Sequence, residues 1–292
     1  MTLGNFDGMH VGHEALVRRV KKVSDDEKLL GGLLTFDPHP TKVLAPEKQT
    51  KSIFDMADKI DRVKKLGLDF FVIEPFSREV SQLDPKAFLN SLTKSFAIRF
   101  LVVGYDFNFG RNRSGTLEVL KKFCESSGIV LEVLPPVKIG GEVVSSSLIR
   151  KAVANGEVEK ANLLLGRPFF LKGVVEKGAS RGKTIGFPTA NLLTKAELIP
   201  KNGVYITFFN HQGQEFHSVT NVGENPTFKN GTIRPIQIET HILDFKEEIY
   251  GEQTTVKFLK HLRPEMKFNS VEELIKNIKK DIVAARTFWE TK

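Results

Sequence analysis

The sequence has little of several features that mark special classes of protein. It contains a single cysteine, Cys124, which excludes a disulfide framework and favours a reducing compartment. No apolar run approaches the roughly 18–20 residues that a membrane-spanning helix needs, and no internal repeat or low-complexity tract is visible. The first motif begins at Gly4, so we expect no signal peptide and a cytoplasmic location.

Positive charge exceeds negative charge, but not in a pattern typical of nucleic-acid binding. Lys and Arg number 43 against 35 Asp and Glu, a net charge of +8. The lysines are scattered as pairs, without a basic run that carries interleaved aromatic residues. A solvated surface that attracts small polyanions explains the charge as well. We expect small-molecule partners, no nucleic acid and no membrane, and a monomer or weak homo-oligomer. The alternative is a nucleic-acid-binding regulator, which would bind oligonucleotides without turning over ATP.

Strand-length apolar runs alternate with helical patterns through the first half of the chain. This alternation predicts an α/β domain with a parallel sheet. Ligands of such sheets bind beyond the carboxyl ends of the strands. Three predicted strand ends carry polar, glycine- or histidine-bearing segments, at 4–13, 35–40 and 104–115.

The segment 4–13 reads Gly-Asn-Phe-Asp-Gly-Met-His-Val-Gly-His and lies between a strand stub and a helical pattern. A turn of this kind presents backbone N–H groups and a helix N-terminus to an anion. His10 and His13 are three residues apart, so they share a helix face and can donate hydrogen bonds to a triphosphate. The alternative is a pair of structural histidines beside a turn.

Two further segments of the first half suit phosphate or a planar ring. The segment 104–115 combines aromatic rings and an acid with Arg111 and Arg113, although its phenylalanines can equally pack beneath an ordinary loop. The segment 145–150 opens a helix with three serines and Arg150, a combination that binds phosphate well. A plain serine N-cap is the alternative there.

After 166–168 the sequence changes to short, aromatic, β-rich segments separated by Gly, Asn and Pro. This pattern predicts an antiparallel barrel or sandwich. The tail at 271–288 returns to helical spacing, with Ser270 and Glu273 placed as a capping box. We therefore predict two domains, 1–167 and 168–292. The predicted strands lie at 169–175, 203–209, 216–222, 236–243 and 254–262.

Two stretches of the second half carry candidate phosphate and metal chemistry. Glycines at four-residue spacing, with two basic residues, predict a mobile loop over phosphates in 178–186. Thr189 and Asn191 follow, and their hydroxyl and amide oxygens are hard ligands suited to Mg²⁺. A turn before a strand edge is the alternative. In the run 236–242, Glu239 lies on the polar face opposite the isoleucines, where a carboxylate can act as general base. The alternative is a solvated strand face.

Together these segments resemble the bacterial bifunctional riboflavin kinase/FAD synthetase family. The matching residues occur in family order in both halves. They lie at 4–13, 35–40, 104–115, 145–150, 186–191, 221–223, 225–228, 239–245 and 262–268, and in the terminal helix with Asp281 and Arg286.

The resemblance implies a Rossmann-like nucleotidyltransferase domain followed by a six-stranded antiparallel Greek-key barrel with a C-terminal helix. It implies ATP-dependent phosphorylation of riboflavin to FMN in the second domain. In the first domain, AMP is then transferred from ATP to FMN, which gives FAD and pyrophosphate. A narrower alternative keeps only one domain active. Family members usually carry more residues before the segment that begins at Gly4. The short first strand therefore predicts either that the given sequence starts too late or that an edge of the sheet is missing.

The resemblance also assigns roles to individual residues. Catalysis falls to Glu239, which deprotonates the ribityl hydroxyl, and to His10 and His13, which bind ATP phosphates. Mg²⁺ with ATP is held by Thr189 and Asn191. The ATP- and phosphate-binding residues are Gly4, Asn5, Phe6, Gly12, Ser146, Arg150, Gly178, Arg181, Gly182, Lys183 and Gly186. The flavin-binding residues are Asp7, Asp106, Asn108, Arg111, Arg113, Arg263 and Arg286.

Overall fold

A computed structural model of the chain describes residues 1–178, 181–224 and 236–291, without the side chains of Arg181 and Lys183. The motif predicted at 225–228 and residues 179–180 of the glycine-rich loop lie outside the described residues. The chain forms two compact units, Met1–Ser146 and Ser147–Lys292.

The first unit is built on a five-stranded parallel sheet. Its strands are β1 (Thr2–Leu3), β2 (Gly32–Asp37), β3 (Phe70–Pro75), β4 (Phe100–Gly104) and β5 (Val130–Leu134), and a separate hairpin pairs β6 (Lys138–Ile139) with β7 (Glu142–Val143). Its helices are α1 (Val11–Glu27), α2 (Pro40–Leu44), α3 (Met56–Lys65), α4 (Arg78–Ser81), α5 (Pro85–Ser95) and α6 (Leu117–Ser127). The strand order β3–β2–β1–β4–β5 is that of a Rossmann-like sheet, as predicted.

Both faces of this sheet are buried. Leu33 of β2 and Val102 of β4 pack with residues of α1 and α3, whereas their neighbours Leu34 and Leu101 pack with residues of α5 and α6 on the opposite face. Successive strand residues point to opposite faces, so continuous apolar runs are what a sheet covered on both sides requires. Cys124 is buried in the second of these clusters, and burial raises the pKa of its thiol to about 11.

The two-residue first strand lies at the centre of the sheet. Thr2 pairs with Leu33 of β2 on one side and with Val102 of β4 on the other. The short strand β1 is therefore not an edge strand. The alternative of a missing sheet edge, which its shortness suggested, does not apply to β1. Because β2, β1 and β4 are parallel neighbours, the segments 35–40, 4–13 and 104–115 all leave the sheet at the same edge.

The second unit contains two helices, a barrel and a terminal helix. In chain order its elements are α7 (Ser146–Ala154), α8 (Val158–Leu165), β8 (Phe169–Glu176), α9 (Arg181–Thr184), β9 (Ala190–Leu193), β10 (Gly203–His211), β11 (Gln214–Gly223), β12 (Gln237–Ile242), β13 (Gln253–Arg263) and α10 (Val271–Glu290). Six strands close an antiparallel barrel in the order β10–β11–β12–β9–β8–β13. The chain-consecutive pairs β9/β10 and β12/β13 are not neighbours, which gives the predicted Greek-key crossovers.

Helix α8 packs against the barrel. The Asn162 side chain donates from Nδ2 to the carbonyl oxygen of Phe258 on β13 (2.8 Å), and its Oδ1 accepts from the backbone N–H of Phe169 at the start of β8 (2.6 Å). The compact division therefore groups α8 with the barrel, whereas the domain boundary predicted at 167 assigns it to the first domain. That boundary stays a prediction.

The barrel interior combines apolar packing with a chain of hydroxyl groups. Thr207 of β10 is hydrogen-bonded through Oγ1 to Ser218 (2.8 Å) and Thr220 (2.7 Å) of β11, and Thr220 to Thr240 of β12 (2.9 Å). All four side chains are fully buried. Because each hydroxyl finds a partner, the interior contains this polar ladder without an unsatisfied group in it.

Helix α10 covers the outside of the barrel. Ser270 accepts from the backbone N–H of Glu273 (3.2 Å) and is the predicted N-cap. The Glu273 carboxylate accepts from the backbone N–H of Asn269 (3.0 Å), one residue before the N–H that a capping box would use. Near its other end, Trp289 stacks on His217 of β11, with ring centroids 4.2 Å apart and planes at 5°. Among the described residues, no helix combines the length and apolar character needed to cross a membrane.

Candidate active sites

The turn at 4–10 follows the central strand directly. The backbone N–H of Gly4 donates to the carbonyl oxygen of Leu34 (3.1 Å), which ties the start of the turn to β2. Phe6 (φ 48°), Gly8 (φ 79°) and Met9 (φ 41°) all adopt positive φ. This conformation is costly for residues with a side chain. Phe6 and Met9 are only 1% exposed, and their burial beneath the turn offsets that cost.

His10 and His13 are brought together at the N-terminus of α1. The Nδ1 atom of His10 accepts from the backbone N–H of His13 (3.3 Å) and caps the helix, so a neutral His10 carries its proton on Nε2. The two rings stack with centroids 3.6 Å apart and planes at 16°, and Phe6 packs edge-on to His13. A Cβ on Gly12 would lie 3.2 Å from the His10 ring. Glycine therefore lets that ring fold over the helix start.

Asp7 holds the turn from inside the protein. It is 4% exposed, and its Oδ1 accepts from the backbone N–H of Ile53 (3.0 Å). The carbonyl oxygen of Asp7 accepts from Ser146 Oγ (2.9 Å) at the start of α7. The predicted phosphate-binding Ser146 thus lies against the histidine-bearing turn, while Arg150 is half-buried one helical turn further along α7.

The segment 104–115 leaves β4 as a loop closed at its base. Phe109 and Gly115 exchange backbone hydrogen bonds of 3.0 and 2.9 Å. Phe107 and Phe109 pack into the core of the first unit. For these two residues the alternative, that the phenylalanines pack beneath the loop, is correct. The Asn108 side chain donates to the carbonyl oxygen of Asp106 (2.7 Å). The predicted binding residues of this loop are exposed: Asp106, Asn108, Arg111 and Arg113.

A cluster of polar side chains lies on the outer face of the barrel where β9 meets β12. Asn191 is paired with Glu239 across the two strands. Gln237 donates from Nε2 both to Asn191 Oδ1 (2.9 Å) and to Glu239 Oε1 (2.7 Å). Ile238 and Thr240, which flank Glu239 on β12, are buried inside the barrel, as the predicted alternation requires. Gln237 was not among the predicted site residues, although its place two residues before Glu239 on the same face was a usable signal.

The glycine-rich loop approaches this cluster closely. A Cβ on Gly178 would lie 2.2 Å from Asn191 Nδ2, and a Cβ on Gly182 would lie 2.3 Å from the carbonyl oxygen of Phe187 and 3.4 Å from Thr189 Oγ1. Any side chain at these two positions would displace the loop or its neighbours. Part of the loop predicted over 178–186 is helical, as α9, and Gly186 (φ 88°) follows that helix.

If the barrel phosphorylates riboflavin, as the sequence resemblance implies, Gly178→Ala is expected to reduce FMN formation. The added methyl group would push Asn191 away from Gln237 and break their 2.9 Å hydrogen bond. Displacement by about 1 Å can cost on the order of 100-fold in rate, and we expect a loss of roughly 10- to 100-fold in kcat/KM. Gly213→Ala is the control for an added methyl group, because that group would meet only open space in the β10–β11 turn and its cost is backbone strain at φ 84° alone. Unchanged steady-state kinetics of Gly178→Ala would contradict this packing argument.

The two arginines predicted to bind flavin are held by carboxylates. Arg263 donates from Nε (3.0 Å) and from a terminal nitrogen (2.8 Å) to the two oxygens of Asp281, a largely buried pair that ties β13 to α10. Arg286 donates to Asp244 (2.8 Å), and this hydrogen bond lowers the pKa of the Asp244 carboxyl group. Both guanidinium groups are therefore oriented by partners.

The oxygen atoms near Asn191 suit a divalent cation bound with nucleotide. No group of three His, Cys, Asp or Glu residues placed for a metal ion occurs among the described parts of the chain. The donor set consists instead of the Thr189 hydroxyl, the Asn191 amide oxygen and the carboxylate of Glu239 beside it. The amide oxygen of Asn191 accepts one hydrogen bond and has a second lone pair. These residues fit Mg²⁺, a hard ion that keeps waters and phosphate oxygens as its other ligands.

The two clusters lie on different folds and suit different chemistry. The first unit presents a helix N-terminus and two histidines beside the central strand, as nucleotide-binding α/β proteins do. The barrel presents a carboxylate, an amide and a glycine-rich loop. These features define a two-unit protein that uses nucleotides.

The comparisons with known proteins identify the family. A family model described as FAD synthetase matches residues 1–148, and one described as riboflavin kinase matches residues 165–289. The chain belongs to the bifunctional riboflavin kinase/FMN adenylyltransferase family, as the sequence resemblance predicted. A member from Listeria monocytogenes is 38% identical, over 99% of this chain and 92% of the relative. One from Bacillus subtilis is 35% identical, over 96% and 89%.

A solved structure is similar to this chain over nearly its full length. A crystal structure described as a macrolide-efflux protein from Streptococcus pneumoniae has a TM-score of 0.90 and is 32% identical, over 98% of this chain and 93% of the neighbour. That description belongs to the neighbour, whose sequence and fold are similar to those of this chain.

Proposed function

We propose that this chain makes FAD from riboflavin in two ATP-dependent steps. The barrel phosphorylates riboflavin to FMN, and the α/β unit transfers AMP from ATP to FMN with release of pyrophosphate. The observation that carries the proposal is that one chain matches both family models, each on the unit whose polar cluster suits its reaction.

In the adenylyl transfer, an oxygen of the FMN phosphate attacks the α-phosphorus of ATP, and pyrophosphate leaves. This displacement needs no protein nucleophile, so catalysis consists of positioning and charge stabilisation. His10 and His13 donate to the phosphate oxygens at the N-terminus of α1. The nucleotide is further bound by Gly4, Asn5, Phe6, Gly12, Ser146 and Arg150. Flavin and its phosphate are bound by Asp7, Asp106, Asn108, Arg111 and Arg113.

In the kinase reaction, Glu239 takes the proton of the ribityl 5′-hydroxyl as its oxygen attacks the γ-phosphorus of ATP, and ADP leaves. Thr189 and Asn191 would hold Mg²⁺, which neutralises charge on the phosphates when bound. Gln237 fixes the relative positions of Asn191 and Glu239 through its two hydrogen bonds. The phosphate-covering residues are Gly178, Arg181, Gly182, Lys183 and Gly186, and Arg263 and Arg286 border the flavin.

We also propose a cytoplasmic location, small-molecule partners without nucleic acid, and a monomer or weak homo-oligomer. The single cysteine is a buried free thiol whose pKa is raised to about 11, which suits a reducing compartment. The domain division at 167 belongs to the same proposal.

Chromatography of the products formed from riboflavin, ATP and Mg²⁺ tests the function directly. We expect FMN to form first and FAD to follow as FMN accumulates. Supplied FMN and ATP should give FAD without the first step. FMN alone would contradict the role of the α/β unit, and neither product from folded protein would contradict both.

A further inference from the structure

A buried lysine that has no role in the proposed reactions lies beneath the histidine-bearing turn. Lys59 belongs to α3 and is only 9% exposed. Its Nζ donates to the carbonyl oxygen of Asn5 (2.7 Å) in the turn and to Thr35 Oγ1 (3.2 Å) on β2. Lysine is rarely buried unless something holds its charge, so its position needs an explanation.

The charged groups around Lys59 come from three elements. The carboxylates of Asp7 on the turn and Asp37 at the end of β2 favour the charged ammonium, but burial is the larger influence and lowers the pKa of Lys59 to about 8. On its own helix, Arg62 is engaged by Glu14 of α1 (2.6 Å). Lys59 therefore presents its ammonium group to the underside of the turn.

The hydrogen bonds of Lys59 are not needed to satisfy the groups they reach. Thr35 Oγ1 itself donates to the carbonyl oxygen of Asn5 (3.0 Å), so that oxygen keeps a partner if the lysine is removed. The carboxylate of Asp7 keeps its hydrogen bond from the backbone N–H of Ile53 if the lysine is removed, and Asp37 is exposed. The hydrogen bonds of the neighbouring groups thus do not require a lysine here.

We propose that Lys59 is a positioning residue for adenylyl transfer, which fixes the turn that carries His10 and His13 and places a buried positive charge beneath the phosphate site. The proposal rests on the proposed function of the first unit. Asn5 lies between Gly4, which is hydrogen-bonded to β2, and Phe6, the first residue of the turn with a positive φ. A hydrogen bond from Lys59 to the carbonyl oxygen of Asn5 therefore sets the direction in which the turn leaves the sheet. The charge lies in a poorly solvated position, where its field is weakly screened.

Lys59→Met tests the inference, with Lys65→Met at the exposed end of the same helix as the matched control. From supplied FMN, Lys59→Met should form FAD about 100-fold more slowly, the scale expected for a displaced site. It should form FMN from riboflavin at the wild-type rate and unfold at no lower temperature than the wild type at pH 7. Unchanged FAD formation, or a loss matched by a lower unfolding temperature, would overturn the inference.

The pH dependence separates charge from packing. In the wild type, kcat/KM for FAD formation should fall as the pH rises above about 8, because Lys59 then loses its proton. Lys59→Arg retains a charge at every accessible pH, so its smaller residual activity should lack this decline. An identical alkaline decline in both proteins would contradict the role of the charge. His13→Ala distinguishes the two proposals. If both His13→Ala and Lys59→Met retain FAD formation, the assignment of the site is wrong. If His13→Ala loses FAD formation while Lys59→Met retains it, only the inference about Lys59 is wrong.

Discussion

Glu239→Gln is expected to abolish FMN formation from riboflavin while sparing FAD formation from supplied FMN. Glutamine has nearly the shape of glutamate and keeps an oxygen that can accept from Gln237, but it cannot take a proton from the substrate hydroxyl. General-base catalysis is worth about 10²- to 10⁴-fold, so we expect kcat to fall roughly 1000-fold. Chromatography of both products under both substrate conditions measures the effect.

Glu215→Gln is the matched control on the same barrel. Glu215 is a partly exposed carboxylate on β11 that pairs with Lys257, and exposed ion pairs of this kind contribute little to stability. Its substitution should leave both products unchanged. Wild-type FMN formation by Glu239→Gln would remove the carboxylate from the mechanism, and loss of both reactions would indicate misfolding rather than chemistry.

His13→Ala is expected to give the opposite pattern, with FMN accumulating and FAD absent. The substitution removes one of two stacked imidazoles at the start of α1 but keeps His10, whose Nδ1 caps the helix through a backbone N–H. Removing one preorganised donor to developing charge costs about 10²- to 10³-fold. We expect that loss in FAD formation from supplied FMN.

The kinase reaction of the same polypeptide is the internal control for His13→Ala. The barrel is a separate compact unit, so the rate of FMN formation should stay within twofold of the wild type. FAD formation at the wild-type rate would contradict the phosphate-binding role of His13. A parallel loss of FMN formation would show that the variant damages the whole protein.

The local parts of this structure could be predicted from sequence. The β1–turn–α1 motif, the three strand ends that carry polar segments and the strand that carries Glu239 are all predicted correctly, because each depends on hydrophobic spacing or a turn within one short segment. The convergence of 4–13, 35–40 and 104–115 also followed, since the carboxyl ends of parallel strands share one edge.

Contacts between distant segments could not be predicted. The double hydrogen bond of Gln237 depends on the register between β9 and β12, and β9 is a four-residue strand too short to recognise by alternation. Lys59 looks like one of many helix lysines until α3 is placed beneath the turn. The carboxylate of Asp7 accepts from a backbone N–H 46 residues away, a contact that no pattern in the segment 4–13 indicates. Each of these depends on packing that no local pattern contains.

The stacking of Trp289 on His217 determines what an optical experiment on this protein can observe. Trp289 is the only tryptophan in the chain, and its ring lies against β11 on the outside of the barrel. Tryptophan fluorescence during denaturation therefore reports the unfolding of the barrel and does not report the unfolding of the α/β unit. The fraction of FAD-forming activity that survives at each denaturant concentration supplies the missing curve. The two curves together give separate midpoints for the two halves of one polypeptide, without labels or truncation.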